Sequence, residues 1–401
     1  MSKVKETLRM NADELKDHLK YVIDNNQFLQ VRGILPIATC VEGHAGLGKT
    51  SVVMQLAQEL GLQCVKRNLA EVEEAADLLG FPLRQFKLCR KVEEKEECIW
   101  VDDHAVHEYT KNGFNFTGIK RTTYCPPEWI ADKEEGGILI LDDFNRADPR
   151  IIQGAMEIIN RQEYTSWKLP RNWHVVMTQN PDDGNYMVNS QDVAHKTRYS
   201  TLTMKWDVEC WARRAEKDGI DGRGINFMLK HPDIIKDDSL KNGINPRTLS
   251  NFFNSIASIK DFEKDLPKIQ QMGESSVGVE VSSLFTTFIN NRLDKLLSPN
   301  DILTKDWKYV KGELTDIIGI GTNYRPDIAS IITTRIINYS LHYSEKNSID
   351  QKIITRITEI INTPDLIAMD LKYIIIRELL NRSNKFKRIM LDQGVAKMSI
   401  K

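Results

Sequence analysis

Short apolar runs alternate with stretches of helical periodicity along the first half of the chain. Residues 7–28 carry leucines, valine and isoleucine at helical spacing, which predicts an amphipathic helix. Short apolar strands that alternate with helices are typical of a parallel sheet covered on both faces. We therefore predict an α/β domain with a five-stranded parallel sheet over residues 1–205. The five predicted strands lie at 37–41, 64–67, 137–141, 173–177 and 200–204.

The strand signal fades after residue 205, and helical patterns continue to the end of the chain. This change predicts an all-α lid at 206–270 and a helical C-terminal extension at 271–401. Residues 271–278 contain two glycines and two serines, which favours a flexible joint there.

An extended insertion separates the second and third predicted strands. Alternating residues flank an acidic tip, and this pattern predicts a β-hairpin at about 84–102. Its two arms carry Cys89 and Cys98, and His104 and His107 follow, but the spacing fits no zinc motif well. We expect reduced hairpin thiols, with zinc as the alternative, since six cysteines are too few for a disulfide framework in 401 residues.

Charge and hydropathy narrow the class of protein. Lysine and arginine number 55 against 56 aspartate and glutamate, so the net charge is −1. This balance excludes a protein that acts as a polycation on DNA or an anionic membrane. No apolar run approaches the ~18 residues of a membrane span, and the first residues lack the apolar core of a signal peptide. We therefore expect no membrane partner and a cytoplasmic location.

The strongest motif follows the first predicted strand and reads G-H-A-G-L-G-K-T, which satisfies G-x-x-x-x-G-K-[ST]. In this pattern backbone N–H groups surround phosphate oxygens, the lysine neutralises phosphate charge, and the last hydroxyl contacts Mg²⁺. The alternative is a glycine-rich turn that binds nothing, but a strand precedes the motif and a helix follows it. The candidate cofactor-binding residues are Gly43, His44, Ala45, Gly46, Leu47, Gly48, Lys49, Thr50 and Ser51.

Polar residues follow two later strands. Asp142 and Asp143 end the apolar run at 138–141, where a carboxylate can hold Mg²⁺ and a second can orient water. We expect Thr50 and Asp142 to be the metal ligands. Asn180 follows the next strand and is a candidate probe of the terminal phosphate, although it also suits an ordinary Asn-Pro turn.

Two arginines are candidates for contacts with phosphate. Arg198 directly precedes the fifth predicted strand, and Arg247 opens a helix after a proline. Arginine suits planar, bidentate recognition of phosphate. An ordinary surface arginine is the alternative for each.

The arrangement resembles the AAA+ ATPases, most closely the MoxR branch and its CbbQ-like relatives. Coverage is good from about Leu15 to Ile256 and thin beyond. Besides the loop and the acidic strand, the matching segments are 68–80, 126–130, 161–170 and 211–232. The resemblance implies a P-loop NTPase three-layer αβα fold, an ATPase activity, and ATP and Mg²⁺ as cofactors.

The resemblance also implies roles for single residues. Asp143 would be the water-activating acid, Asn180 the first sensor and Arg247 the second sensor. Arg198 would be an arginine finger that acts on ATP held by a neighbouring subunit, as in the rings, usually hexamers, of this family. The family usually has glutamate where this chain has Asp143. Aspartate is one methylene shorter, so the Asp143 carboxylate would lie about 1 Å short of the usual position beside the attacking water, which favours slow hydrolysis.

Three functions fit the sequence. The first is a ring-shaped, chaperone-like motor that hydrolyses ATP and remodels a protein partner, and the resemblance suggests a von Willebrand-type domain as that partner. The second is a nucleotide-gated assembly or scaffold protein with little turnover, which Asp143 favours. The third is a nucleic-acid motor or loader, based on basic residues at 377–388, although such a run usually forms a solvated helix face.

Overall fold

The protein divides into two compact units, Met1–Lys205 and Trp206–Lys401. The structure, a computed structural model, describes residues 8–92, 95–236, 240, 242–291, 293 and 296–399. The first unit contains all the strands among these residues. They are β1 (Arg9–Met10), β2 (Ala38–Glu42), β3 (Gln63–Asn68), β4 (Pro82–Val92), β5 (Lys95–Asp102), β6 (Asn115–Tyr124), β7 (Gly137–Asp142), β8 (Glu163–Tyr164), β9 (Trp167–Lys168), β10 (Trp173–Gln179) and β11 (Tyr199–Met204).

A six-stranded parallel sheet with the order β1-β11-β2-β10-β7-β3 forms the centre of the first unit. The prediction of five strands was therefore one strand short. The additional strand, β1, pairs Arg9 with Thr203 and Met10 with Met204 at the edge of the sheet. Two residues cannot produce a hydropathy pattern, and only their pairing with β11 identifies them as a strand.

Helices cover both faces of this sheet and make it the middle of three layers. The residues of β7 and β10 are buried throughout, because their side chains alternate between the two helical layers. On one face, 149–161 contributes Ile151, Ala155 and Ile159 to the main core. On the other face, 49–59 packs on β3, β7 and β10. The α-helices of this unit are Ala12–Val31, Lys49–Glu59, Ala75–Leu79, Val106–Lys111, Glu128–Ala131, Pro149–Arg161 and Val193–Lys196.

The predicted hairpin insertion belongs to a separate antiparallel sheet of three strands with the order β5-β4-β6. Strand β4 pairs with β5 from Gln85, opposite Asp102, to Val92, opposite Lys95. On its other side, β4 pairs with β6. The prediction at 84–102 missed β6, because most of its residues are polar and exposed. Leu88, Val101 and Phe114 form a small core beneath this sheet.

Cys89 and Cys98 are joined by a disulfide across the β4–β5 pair. The expectation of reduced thiols was therefore wrong. The register places the two cysteines directly opposite each other, with Cα atoms 4.1 Å apart, which is close enough for a disulfide. Among the described residues, the other four cysteines, Cys40, Cys64, Cys125 and Cys210, are not in disulfides.

The second unit is helical throughout its described residues. Its centre contains a cluster of aromatic rings in which Phe285 lies edge-on to Phe227 and Phe252, with ring centroids 4.9 Å and 5.2 Å away. The α-helices are Val208–Lys217, Gly222–Lys230, Pro246–Ile256, Leu266–Asn290, Pro299–Thr304, Trp307–Ile318, Pro326–Lys346, Gln351–Asn362, Met369–Arg382 and Gln393–Ser399, and a 3-10 segment spans Asn384–Leu391.

The boundary predicted at residue 270 lies inside the helical segment Leu266–Asn290. The expected flexible joint at 271–278 is helical as far as Gly278, where the backbone leaves the helical region (φ 84°, ψ 165°) and the helix kinks. The division into a lid at 206–270 and an extension at 271–401 stays a prediction. Among the described residues, no helix combines the length and apolar character needed to cross a membrane.

Candidate functional site

The loop between β2 and helix 49–59 has the backbone of a phosphate-binding turn. Gly46 and Gly48 adopt left-handed conformations with φ of 81° and 95°, which favour glycine. Gly48 is also the residue that immediately precedes the helix. The N–H of Gly43 donates to the carbonyl of Gln179 at 3.2 Å, so the start of the loop is fixed to β10. Backbone N–H groups at such a turn and at a helix N-terminus favour an anion.

Lys49 is the first residue of that helix, and its side chain points back into the loop. Only 7% of the residue is exposed. Its ammonium donates to the carbonyls of Gly43 at 2.6 Å and His44 at 3.1 Å, and to Oδ1 of Asn180 at 3.1 Å. The lysine therefore connects the loop to the end of β10, and it places a positive charge beside the loop amides.

Thr50 and Asp142 meet at the carboxyl edge of the sheet. The Thr50 hydroxyl donates to Oδ1 of Asp142 at 2.7 Å. Asp142 is the last residue of β7, and parallel strands β7, β10 and β2 all end at this edge. A hydroxyl and a carboxylate in contact are suitable oxygen ligands for Mg²⁺.

Two further side chains contact the Asp142 carboxylate, and the sequence analysis identified neither. The ammonium of Lys66 lies 2.8 Å from Oδ2, and the Thr178 hydroxyl donates to Oδ1. Burial by itself raises the pKa of Asp142, but the hydrogen bonds from Lys66, Thr178 and Thr50 and the charge of Lys66 outweigh it. The pKa of Asp142 is therefore lowered, and its carboxylate is ionised at neutral pH.

Asp143 follows in a left-handed conformation, with φ 51° and ψ 39°, which is uncommon for a residue other than glycine. Its Oδ1 accepts a hydrogen bond from Nδ2 of Asn180 at 3.3 Å. Arg146 lies 3.7 Å from its Oδ2. The side chain is partly exposed, so solvent reaches the carboxylate that the sequence predicted to orient water.

Asn145 holds the end of β10 in place. Its Nδ2 donates to the carbonyl of Asn180 at 2.7 Å, and its Oδ1 accepts from the Asn180 N–H at 3.3 Å. These two bonds orient Asn180, whose side chain contacts both Lys49 and Asp143. From the sequence alone Asn145 had no assigned role, and the structure gives it this one.

Arg198 lies away from this group of residues, at the opposite edge of the sheet. Arg198 is exposed and directly precedes β11, whose first residue, Tyr199, pairs with Ala38 at the start of β2. At about 3.3 Å per strand residue, the five steps from Ala38 to Gly43 place Arg198 at least about 16 Å from the loop that begins at Gly43. Arg247 is an exposed residue of the second unit, at the start of helix 246–256.

The remaining named loop residues complete the turn. Leu47 is buried, and Ala45 and Ser51 are partly buried. His44 is partly buried, and its Nδ1 lies 3.2 Å from the hydroxyl of Tyr186. Tyr186 was not identified from the sequence, because a tyrosine in a polar loop carries no local signal of its contact with residues far away in the chain.

The basic stretch at 377–388 is partly neutralised within its own unit. Arg377 and Arg382 both pair with Glu378, at 3.1 Å and 2.9 Å. The ammonium of Lys385 donates to the carbonyls of Ser344 and Asn347. Three of these basic residues are therefore engaged within their own unit, and the nucleic-acid function stays a hypothesis.

Solved structures that this chain resembles in shape differ from it strongly in sequence. A point mutant of Thermotoga maritima RuvB is 11% identical, with 85% of this chain and 92% of that chain covered and a TM-score of 0.34. The Thermotoga maritima RuvB Holliday junction branch migration motor is 12% identical, with 85% and 91% covered and a TM-score of 0.32. A comparison with curated proteins finds no match.

The family comparison covers the part of the chain that holds the candidate site. Residues 38–199 match the model of the AAA domain, dynein-related subfamily. The matched segment begins at β2 and ends at the first residue of β11, so it contains the loop, Asp142, Asp143, Asn180 and Arg198. This match does not distinguish the MoxR and CbbQ-like branches from other AAA domains of the subfamily. Residues 38–199 are therefore an AAA domain of the dynein-related subfamily, in a unit with the α/β fold of the P-loop nucleoside triphosphatases.

Proposed function

We propose that the protein binds Mg²⁺ and ATP at the loop of residues 43–50 and hydrolyses ATP to ADP and phosphate. The observation that carries this proposal is the contact between Thr50 and Asp142 beside the buried ammonium of Lys49. It brings a candidate metal site and a candidate phosphate site together at one edge of the sheet. AAA domains are typical of ATPases, which supports the same activity.

The residues present fit this cofactor pair. The left-handed glycines orient loop N–H groups as phosphate donors, and Lys49 adds a positive charge. Thr50 and Asp142 would hold the magnesium ion, which neutralises charge on phosphate oxygens when it is bound. Asp143 would accept a proton from the attacking water, and Asn180 keeps its carboxylate in place.

Arg198 supports an activity shared between subunits. In its own chain it lies at the edge of the sheet opposite the phosphate loop, too far away to contact phosphate there. An arginine finger stabilises the charge of the transition state and can be supplied by another chain. We therefore propose a ring oligomer, with six subunits as the expected number, in which Arg198 completes the site of a neighbour.

We also propose that the chain belongs to the MoxR-like branch and uses ATP to remodel a protein partner. The support is the sequence resemblance, which extends past the AAA domain into 211–232. A partner with a von Willebrand-type domain is the candidate client. Arg247 is the candidate second sensor, positioned at a helix start in the second unit.

A second candidate function is a nucleotide-gated assembly protein with little turnover. Asp143 favours it, because a shorter carboxylate lies farther from the attacking water than glutamate would. The hydrogen bond from Asn180 restrains Asp143 further. The two candidates differ in turnover and share the nucleotide site.

Steady-state phosphate release separates these functions. We expect phosphate release to require Mg²⁺. Its rate should increase more than in proportion to protein concentration, because assembly completes each site. The Asp142→Asn variant should show no release, and Asp148→Asn, which changes an exposed helix-capping aspartate, should retain it. Binding of ATP with no release above background at any protein concentration would overturn the motor and establish the scaffold.

A further inference from the structure

The hydroxyl of Tyr186 contacts the phosphate loop. It accepts a hydrogen bond from the N–H of Ala45 at 3.2 Å, and Nδ1 of His44 lies at the same distance. The rings of His44 and Tyr186 are tilted against each other, with centroids 5.9 Å apart. The tyrosine is partly buried. A side chain from a distant loop therefore contacts one of the backbone N–H groups of the turn that favours anions.

Tyr186 lies in the segment that follows Asn180, and this segment is fixed at both ends. Asn145 clamps the backbone of Asn180. Near the other end, the N–H of Asn189 donates to the carbonyl of Asn145 at 2.7 Å, and its Nδ2 donates to the carbonyl of Ala147 at 2.6 Å. Between these anchors, Tyr186 contacts the phosphate loop through Ala45 and His44.

The same segment continues directly to Arg198. Asp192 accepts a hydrogen bond from the His195 N–H at 2.7 Å and begins the short helix 193–196. The N–H of Arg198 then donates to the carbonyl of His195 at 3.1 Å. Gln191 also accepts a hydrogen bond from the hydroxyl of Tyr199. The stretch 189–199 is therefore bonded both within itself and to Asn145, so Tyr186 and Arg198 lie on one connected segment next to the site.

We propose that Tyr186 is a positioning residue that couples the terminal phosphate of ATP to the segment 181–197 and hence to Arg198. A phenol hydroxyl can accept one hydrogen bond and donate another. It can therefore keep its bond from Ala45 and donate to a phosphate oxygen held by the same loop. This inference rests on the proposed nucleotide site and adds a route from that site to the subunit boundary.

The coupling predicts a difference between ATP and ADP. In this proposal the Tyr186 hydroxyl donates to the terminal phosphate, so the bond forms with a triphosphate and is lost with a diphosphate. A hydrogen bond to a charged group is worth about 1.5–3 kcal/mol, or about 10–100-fold in an equilibrium. The segment 181–197 should therefore be more strongly ordered with a triphosphate than with a diphosphate.

Hydrogen exchange of the full-length protein tests this directly. A nonhydrolysable ATP analogue with Mg²⁺ should slow exchange at amides of 182–197 relative to ADP in the wild type. In Tyr186→Phe, which keeps the ring and removes the hydroxyl, this difference should fall by at least about 10-fold. Tyr164→Phe is the matched control, because it alters a partly buried tyrosine of the short β8–β9 hairpin, and it should behave like the wild type.

Kinetics give a second readout that a purely structural role would not produce. Tyr186→Phe should lower kcat at least about 10-fold and change KM less than about 3-fold, since the coupling acts through Arg198 after binding. Unchanged kcat together with unchanged exchange protection in Tyr186→Phe would overturn the coupling while ATP binding persists. Failure of the wild type to bind the analogue would instead overturn the proposed nucleotide site, so the two failures are distinguishable.

Discussion

The hydroxyl of Thr50 lies 2.7 Å from Oδ1 of Asp142, although 92 positions separate them in the chain. Thr50 belongs to the helix after β2, and Asp142 ends β7. Strand β10 lies between β2 and β7, and the three parallel strands bring their carboxyl ends to one edge. This single contact joins the loop that would hold phosphate to the carboxylate that would hold the metal ion.

The length of the side chain at position 143 should limit turnover. Asp143→Glu adds one methylene and moves the carboxylate about 1 Å towards the position usual in the family, so we expect kcat to rise by up to about 100-fold. Steady-state phosphate release measures this, with Asp143→Asn as the inactive comparison. A kcat for Asp143→Glu at or below the wild type would show that Asp143 is already placed for its role.

Arg198 and Asp143 should act in different subunits of one site. Arg198→Ala should keep ATP binding and lose at least about 100-fold in turnover, since an arginine finger is typically worth 10³–10⁵. Mixing it with Asp143→Asn should restore part of the activity, because a mixed pair of neighbours can contain one intact site. Phosphate release across mixing ratios checks this. A mixture no more active than the sum of its parts would argue against a shared site.

Lys66 should compete with a divalent cation for Asp142. Its ammonium occupies Oδ2 at 2.8 Å, and the lysine side chain is 43% exposed. With one partner exposed to solvent, such a pair is worth up to about 1 kcal/mol, so Lys66→Met should lower the Mg²⁺ concentration for half-maximal ATP binding by up to about 5-fold. Lys66→Arg keeps the charge and should leave that concentration unchanged. A higher Mg²⁺ requirement in Lys66→Met would mean that Lys66 supports the metal site.

His174 should make the stability of the first unit depend on pH. Burial lowers its pKa from 6.5 to about 4, and the charge of Asp24 opposes this only in part. The ring stays neutral in the folded protein and becomes protonated in the unfolded chain. Its contribution to stability is therefore complete above pH 6.5 and is lost as pH falls towards 4, by roughly 3 kcal/mol in total.

Denaturant unfolding of wild type and His174→Gln tests this prediction. Glutamine does not titrate, so the free energy of unfolding of the variant should fall less between pH 7 and pH 5. His195→Gln is the control, because His195 is only partly buried and lies in the short helix at 193–196. If the free energy of unfolding fell equally between pH 7 and pH 5 in the wild type and in His174→Gln, the burial of a neutral His174 would not explain the pH dependence.

Local signals identified the elements that hold the candidate site. The glycines and Lys49 are consecutive, and Asp142 directly follows the apolar run of β7, so both were readable from short windows. Features that depend on strand neighbours were not readable. Lys66 reaches Asp142 only because β3 pairs with β7, and β1 is recognisable only beside β11.

The disulfide and the third strand of the small sheet also depend on contacts that a short sequence window does not contain. Cys89 and Cys98 face each other because of the β4–β5 register, which the sequence pattern left open. Strand β6 lacks apolar alternation, since it contributes little to a core. The contact of Tyr186 with Ala45 likewise depends on how a polar loop folds back, and no propensity of its residues encodes that.

Equilibrium binding of Mg·ATP to Lys49→Ala tests the central claim most directly. Lys168→Ala is the control, because it removes a lysine that is 77% exposed and paired with Glu163. Loss of the Lys49 charge should weaken ATP binding by at least about 10-fold, the effect of one charged hydrogen bond, while the control binds like the wild type. Equal ATP affinity in Lys49→Ala and the wild type would contradict the assignment of residues 43–50 as the phosphate site.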